Sequence, residues 1–282
     1  MTQHKSQHPT NRGKPSHGFA GLVSFLRAPV CHDLNQLDAD IAVMGAPTDE
    51  GSPFMPGSRL GSRSIREHSL RFGDNGYFDH DTDKIFLKYE LNNDRIVDVG
   101  DADVVPADVE GTFKNITNLT RMVLDAGAMP VVLGGDHAIT FPVVRAYNKP
   151  LHVVHFDAHI DYSPFVHGYQ YTNSHAFRHI HHMDHVESLT QVGIRSIRNN
   201  KAWIDDSIND GNRVIGMKEF GEKGPNGMTE LVPKDAQIYV SIDIDVLDLP
   251  LVPGCVSAEP NGMSYTDLRD SLRSEERRVG KE

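Results

Sequence analysis

Short apolar runs rich in Val and Ile recur along the chain, most of them closing in a turn residue or a carboxylate. They are IAVMGAP at 41–47, RIVDVGD at 95–101, MPVVLGGD at 129–136, LHVVHFD at 151–157, TQVGI at 190–194, RVIGM at 213–217 and AQIYVSID at 236–243. A strand with one wet face would alternate polar and apolar residues, so runs this short and this apolar suit strands buried on both faces. Segments of helical character lie between several of them. In 109–127, Phe113, Ile116, Leu119, Met122 and Val123 recur at helical intervals, and Gly127 supplies a helix stop. The alternation predicts an α/β fold of three layers, α/β/α, around a mostly parallel central sheet. In such sheets the carboxyl ends of the strands form the ligand-binding edge.

Three of the runs end in polar residues of one kind. GGDHAIT carries Asp136 and His137, HFDAHIDY carries Asp157, His159 and Asp161, and SIDIDVLD carries Asp243 and Asp245. Continued as strands, the second set would point one way, as would the third, because side chains alternate faces. Each motif alone has a plainer explanation, a helix-capping Asp or a hydrogen-bonded core His. Three motifs on three strand ends with matching parity argue for convergence. Four carboxylates packed together cannot all stay ionised unless cations compensate them. His137, Asp157, His159, Asp161, Asp243 and Asp245 are therefore the candidate metal ligands, for two ions. Carboxylate with imidazole and no thiolate suits Mn²⁺, with nickel, cobalt and iron left open. Paired ions lower the pKa of water enough to make a nucleophile near neutral pH, which points to hydrolysis.

Only Cys31 and Cys255 are present, far apart and outside any metal-type spacing, which argues against a disulfide framework and a thiolate zinc site. The net charge, 28 basic against 39 acidic residues or −11, disfavours nucleic acid and anionic membranes as partners and allows a cationic substrate. No apolar stretch reaches the ~18 residues of a spanning helix, and the polar opening lacks a signal-peptide core, so a cytoplasmic location is expected. The expected organisation is a flexible arm at 1–18, a single α/β domain at 19–272 and a charged tail at 273–282.

At these three motifs the chain resembles the ureohydrolase family, the manganese enzymes that include arginase and agmatinase, whose signatures have the forms GGDH, DAHxD and SxDxDxxDP. GAPTDEGSPFMPGSRLGSRSIR at 45–66 is similar to the family's first conserved loop and DVGD at 98–101 to its following strand. The outline is closest to agmatinase-type members. The resemblance implies one Mn²⁺ held by His137, Asp157, Asp161 and Asp243 and a second by Asp157, His159, Asp243 and Asp245, with Asp157 and Asp243 shared. It implies attack by a water-derived nucleophile on a guanidino carbon, releasing urea and an amine, and a homotrimer or homohexamer. The expected substrate is a small cationic linear guanidino compound. Agmatine, which yields putrescine and belongs to polyamine metabolism, comes first, then guanidinobutyrate and guanidinopropionate, with arginine lower.

NSHAFRHI at 173–180 resembles the segment where the family keeps a mobile proton-shuttling histidine, which assigns that role to His175. Ala176 and Phe177 replace the Gly, Thr, Pro and Phe that usually follow, so a different substrate-tail pocket is expected. The neighbouring His167, His179, His181, His182 and His185 read as a solvated surface, Arg178 as an ion-pair partner and Trp203 as packing. The family's closing strand, with its guanidinium-recognising Glu, and final helix have no counterpart segment here, and Glu259 does not stand in for that Glu. This raises a rival expectation, a metal-binding but inactive subunit. A two-metal phosphoesterase also fits the carboxylates, but no phosphate-cradling Gly-Lys loop or arginine cluster lies near the motifs.

Overall fold

The computed structural model describes residues 17–72, 76–231 and 233–276. The expected arm and tail fall outside them, apart from residues 17–18 and 273–276. The chain divides into two compact units, Met1–Glu50 with Pro56–Asp136, and Gly51–Met55 with His137–Glu282.

In the first unit the strands are β1 (Ile41–Ala46), β2 (Tyr77–Asp79), β3 (Lys84–Phe86), β4 (Ile96–Asp101) and β5 (Met129–Gly134). The helices are α1 (Gly61–Ser69), α2 (Lys88–Asn92) and α3 (Val109–Asp125). β1 lies between β4 and β5 and runs parallel to both, while β2 and β3 pair antiparallel apart from them. Helix α3 begins where the Asp108 carboxylate accepts the Gly111 N–H at 2.8 Å, and the chain turns away at Gly127, whose φ is 82°. Its buried face differs in part from the apolar spacing. Met122 is exposed, and Thr112, Thr117 and Thr120 join Phe113, Ile116 and Val123 inside. Two of these hydroxyls bury without loss because they donate back within the helix, Thr117 to Phe113 O at 2.9 Å and Thr120 to Ile116 O at 2.8 Å.

An ion-pair network ties α1 to β4. Arg66 donates from Nε and Nη2 to the two oxygens of Asp98, at 2.8 and 3.0 Å, and from Nη1 to Asp101 at 2.5 Å. Asp98 is 2% exposed. Arg66→Ala leaves that carboxylate buried without its partner and is expected to cost about 3–5 kcal/mol. Urea unfolding checks this; an unchanged midpoint would show that the pair is not holding the helix.

In the second unit β6 (Leu151–Phe156), β7 (Val186–Ile194), β8 (Arg213–Gly216) and β9 (Ile238–Ile242) form a parallel sheet of order β8-β7-β6-β9. The helices are α4 (Thr140–Val144), α5 (Ala176–His181), α6 (Lys201–Asn209), α7 (Met217–Lys223) and α8 (Tyr265–Glu276). Alternation along β6 sends Leu151 and Val153 into one core with Phe177 and Ile180 of α5, and Val154 and Phe156 into another with Ile215 and Phe220. Helices therefore cover both faces of this sheet, as the apolar runs predict, and the expected α/β class with mostly parallel strands holds. Trp203 packs against the first core. Helix α8 starts with a reciprocal cap, Asp267 N–H donating to Ser264 Oγ at 3.1 Å and Ser264 N–H to Asp267 Oδ2 at 3.0 Å.

Candidate metal centre

All six ligand candidates lie in the second unit. Strand β6 stops at Phe156 and β9 at Ile242, and the two are paired at that register, so Asp157 and Asp243 leave the sheet side by side. The Asp243 N–H still donates to Phe156 O at 2.9 Å. From there strand parity no longer operates. Asp243 caps a 3₁₀ turn at Ile244–Val246 that contains Asp245, accepting the Asp245 N–H at 2.9 Å. Asp161 takes a left-handed φ of 44°, a conformation that costs a non-glycine residue energy and is kept where geometry demands it. Turns, not an extended strand, aim the carboxylates. His137 opens a 3₁₀ turn after β5.

The six residues form one cluster. His137 Nδ1 stands 2.9 Å from Asp157 Oδ2, 3.2 Å from Asp243 Oδ2 and 3.5 Å from Asp161 Oδ2. His159 Nδ1 stands 3.3 Å from Asp157 Oδ1 and 3.1 Å from Asp245 Oδ2. Asp157 is fully buried and faces both imidazoles. Three oxygens surround His137 Nδ1, yet among the described residues this buried nitrogen makes no properly oriented hydrogen bond. A nitrogen lone pair and carboxylate oxygens converging on one point are a donor set for a divalent cation, so the residues fit a metal.

Without ions, protons supply the compensating charge. Burial opposes charge on His159, but Asp157 and Asp245 outweigh it and lift its pKa to about 10. Burial likewise opposes charge on His137, and Asp157 and Asp243 hold it well above the ordinary value. Asp245 is pushed up to about 8 by burial and by Asp157 and Asp243, and Asp161 is pushed well up by burial and Asp157. Asp157 goes the other way: despite its burial, His155, His137 and His159 hold it well below the carboxylate range.

Several residues beyond the six candidates also reach this site. The fully buried His155 faces Asp157 Oδ2 at 2.8 Å through Nε2, while Gln191 Nε2 donates to its Nδ1 at 3.1 Å. That donor fixes the tautomer, and burial holds the pKa down to about 4, so a neutral ring donates to Asp157. His155 sits two residues before Asp157 on the same strand, a signal available in the sequence. Ser241 meets His137 Nε2 at 2.9 Å. Glu259 approaches His159 Nε2 at 3.7 Å and accepts from Arg198 Nε at 2.8 Å and Ser196 Oγ at 2.6 Å. Cys255 also joins the cluster: its Sγ and a carboxylate oxygen from each of Asp243 and Asp245 all lie within 4.8 Å of one another. Sequence spacing does not show this approach, which comes about because the turn after Asp248 folds back on the site.

His175 stands apart from these contacts. It is 5% exposed, its Nδ1 shares a 2.7 Å hydrogen bond with Thr172 Oγ1, and it lines a cavity of about 220 Å³ with Ser163, Tyr169, Thr172 and Trp203. Arg178 pairs with Asp206 at 2.7 Å and donates to the Tyr162 and Ser163 carbonyls. His179 stacks on Phe141 and Phe165, and His185 meets Val144 O at 3.0 Å. Among the described residues no helix is long and apolar enough to cross a membrane.

A model of the arginase family matches residues 39–280. The chain belongs to the arginase family. It is 32% identical over 263 residues to proclavaminate amidinohydrolase of Streptomyces clavuligerus, covering 90% of this chain and 81% of that protein. The solved structure named for that enzyme superposes with a TM-score of 0.80 at 30% identity, over 92% of this chain and 86% of that one. Guanidinopropionase of Pseudomonas aeruginosa is 34% identical, covering 90% and 80%, and agmatinase of Pyrococcus horikoshii is 29% identical, covering 83% and 78%. As an arginase-family protein with agmatinases among its relatives, the chain is a hydrolase of guanidino compounds, and its fold class is the one its sequence predicts.

Proposed function

We propose that this amidinohydrolase holds two Mn²⁺ ions on His137, Asp157, His159, Asp161, Asp243 and Asp245 and hydrolyses agmatine to urea and putrescine. The observation that carries the reading is the clustering of these four carboxylates and two imidazoles, with Asp157, Asp161 and Asp243 around His137 Nδ1 and Asp157 and Asp245 around His159 Nδ1. When bound, such ions supply Lewis-acid charge and lower the pKa of water. The protein's part is to fix the donors, through the β6–β9 register and the His155 and Ser241 hydrogen bonds behind them, and to manage protons.

Proton management falls to His175. Burial pushes its pKa below the usual value, so the ring is neutral at pH 7 and able to take a proton before passing it to the leaving amine. His175→Ala is expected to keep its metal and lose roughly 10²–10⁴-fold in kcat. An unchanged kcat at full metal content would remove the shuttle.

The cavity beside His175 carries aromatic faces and hydroxyls, and among the described residues no Lys or Arg lines it. Ring faces and a net charge of −11 favour a cationic tail, which supports agmatine. A second reading rests on the relatives: guanidinopropionase and proclavaminate amidinohydrolase favour a carboxylate-bearing substrate. Urea release by the Mn²⁺-loaded chain on agmatine, guanidinobutyrate, guanidinopropionate and arginine, with metal content measured on the same sample, decides between them. Preference for guanidinopropionate or guanidinobutyrate would replace agmatine. Full occupancy without urea from any of them would leave the centre and remove the activity. A homotrimer or homohexamer and a cytoplasmic location complete the proposal; sedimentation tests the first.

A further inference from the structure

We infer that Cys255 is an additional ligand at the rim of this centre, giving the chain a seat for thiophilic divalent ions such as Zn²⁺, Cd²⁺ and Co²⁺. The inference rests on the metal-centre reading above and adds a donor that the six carboxylate and imidazole ligands do not include. Three observations carry it. The first is spacing: Cys255 Sγ lies within 4.8 Å of carboxylate oxygens from both Asp243 and Asp245, which are themselves that close to each other. Metal–sulfur and metal–oxygen bonds of about 2.3 and 2.1 Å place tetrahedral donors roughly 3.5 Å apart, a separation that side-chain rotation can reach from here.

The second observation is a nitrogen set among carboxylates. His137 Nδ1 sits on a side chain only 6% exposed and stands 2.9 Å from Asp157 Oδ2 and 3.2 Å from Asp243 Oδ2, yet among the described residues it makes no properly oriented hydrogen bond. It is aimed at the carboxylate that Cys255 approaches, from within the same cluster. The third is the way the backbone presents the thiol. Asp248 N–H donates to Met263 O and Leu249 N–H to Glu259 O, folding 249–263 back against the Asp243–Asp245 turn, and the Cys255 N–H is fixed to Val252 O at 3.0 Å. Cys255 is half-buried there, within reach of solvent ions.

Binding breaks the Sγ–H bond, forms an Sγ–metal bond and releases the proton to solvent, with no change of oxidation state. Thiolate donors favour soft ions, whereas Mn²⁺ prefers the carboxylates and gains little from sulfur. Cys255 therefore shifts the metal preference of a site whose other donors suit manganese.

The test uses the full chain, stripped of metal and loaded with Co²⁺, with bound cobalt measured by dialysis. The expected result is a thiolate-to-cobalt charge-transfer band in the near ultraviolet, kept in Cys31→Ser and lost in Cys255→Ser. Cys31, whose Sγ donates to Asp33 O, serves as the control thiol. Cys255→Ser is also expected to weaken Cd²⁺ binding by about tenfold or more while Mn²⁺ affinity holds. Stoichiometric cobalt with no such band, or a band that survives Cys255→Ser, overturns the thiol ligand and leaves the metal centre standing. A chain that binds no cobalt at all loses both.

Discussion

Asp157→Asn is expected to abolish urea release and strip the protein of metal. The carboxylate is fully buried, faces His137 at 2.9 Å and His159 at 3.3 Å, and accepts the His159 N–H at 2.6 Å. Alanine would leave the His155 Nε2–H and that backbone donor without an acceptor and so confuse a folding defect with a chemical one. Asparagine keeps the shape and one accepting oxygen, removes the charge, and turns an NH2 toward one of the two donors, a smaller disturbance than alanine leaves. Its proposed place on both ions makes that charge more valuable than any other in the site. A loss of roughly 10³-fold or more in kcat is expected, with bound manganese falling in parallel. Asparagine at 157 with full metal stoichiometry would undo the shared-ligand role.

The second large effect is on stability. Between about pH 6.5 and 8 the metal-free protein is expected to become less stable as pH rises. His159, His137, Asp245 and Asp161 all have raised pKa values in the folded state, two of them to about 10 and about 8. Over that window the folded chain holds protons that the unfolded chain has released, so unfolding becomes easier with each step in pH. His155, Asp157 and His175 are shifted downward, but their opposing contributions act only below about pH 6.5. Divalent ions replace those protons and remove the slope. At a free concentration of a thousand times Kd they add about 4 kcal/mol, roughly 10 °C in Tm. Thermal melts from pH 6.5 to 8, with chelator and with excess Mn²⁺, measure both effects. A gap between the two series that does not widen with pH would mean that the cluster's protons and its ions do not share the same seats.

The elements of this fold stand out in the sequence wherever burial on both faces leaves one solution for the residues. Each of the seven apolar runs is a strand, because Val and Ile in short blocks have nowhere to go but a covered sheet. Helix α3 was legible from its spacing, its end from Gly127, and α8 from the pairing of Ser264 with Asp267. The hairpin of β2 and β3 was not, since its exposed residues carry no burial pattern. At the site, residue types were enough to pick out the six candidate residues that cluster, but strand alternation was the wrong reason for their convergence. They lie past the strand ends, where Asp161 and the 3₁₀ turn at Ile244–Val246 set directions that no periodicity encodes. Glu259 and Cys255 were seen in the sequence but not placed near the site, for a related reason: a loop folded back on itself brings them to the candidate ligands without any fixed spacing.

The pairing of Phe156 with Ile242 has a consequence for how the protein is made. Asp157 is synthesised well before Asp243, and the two become neighbours only when β9 has found its place beside β6. Parallel pairings between distant segments form late because the intervening chain must first be closed into a loop. A nascent chain on the ribosome therefore presents an incomplete set of the proposed ligands until β9 emerges. The proposed ion seat is completed only by that pairing, so on the proposed reading ion capture follows sheet formation in this unit.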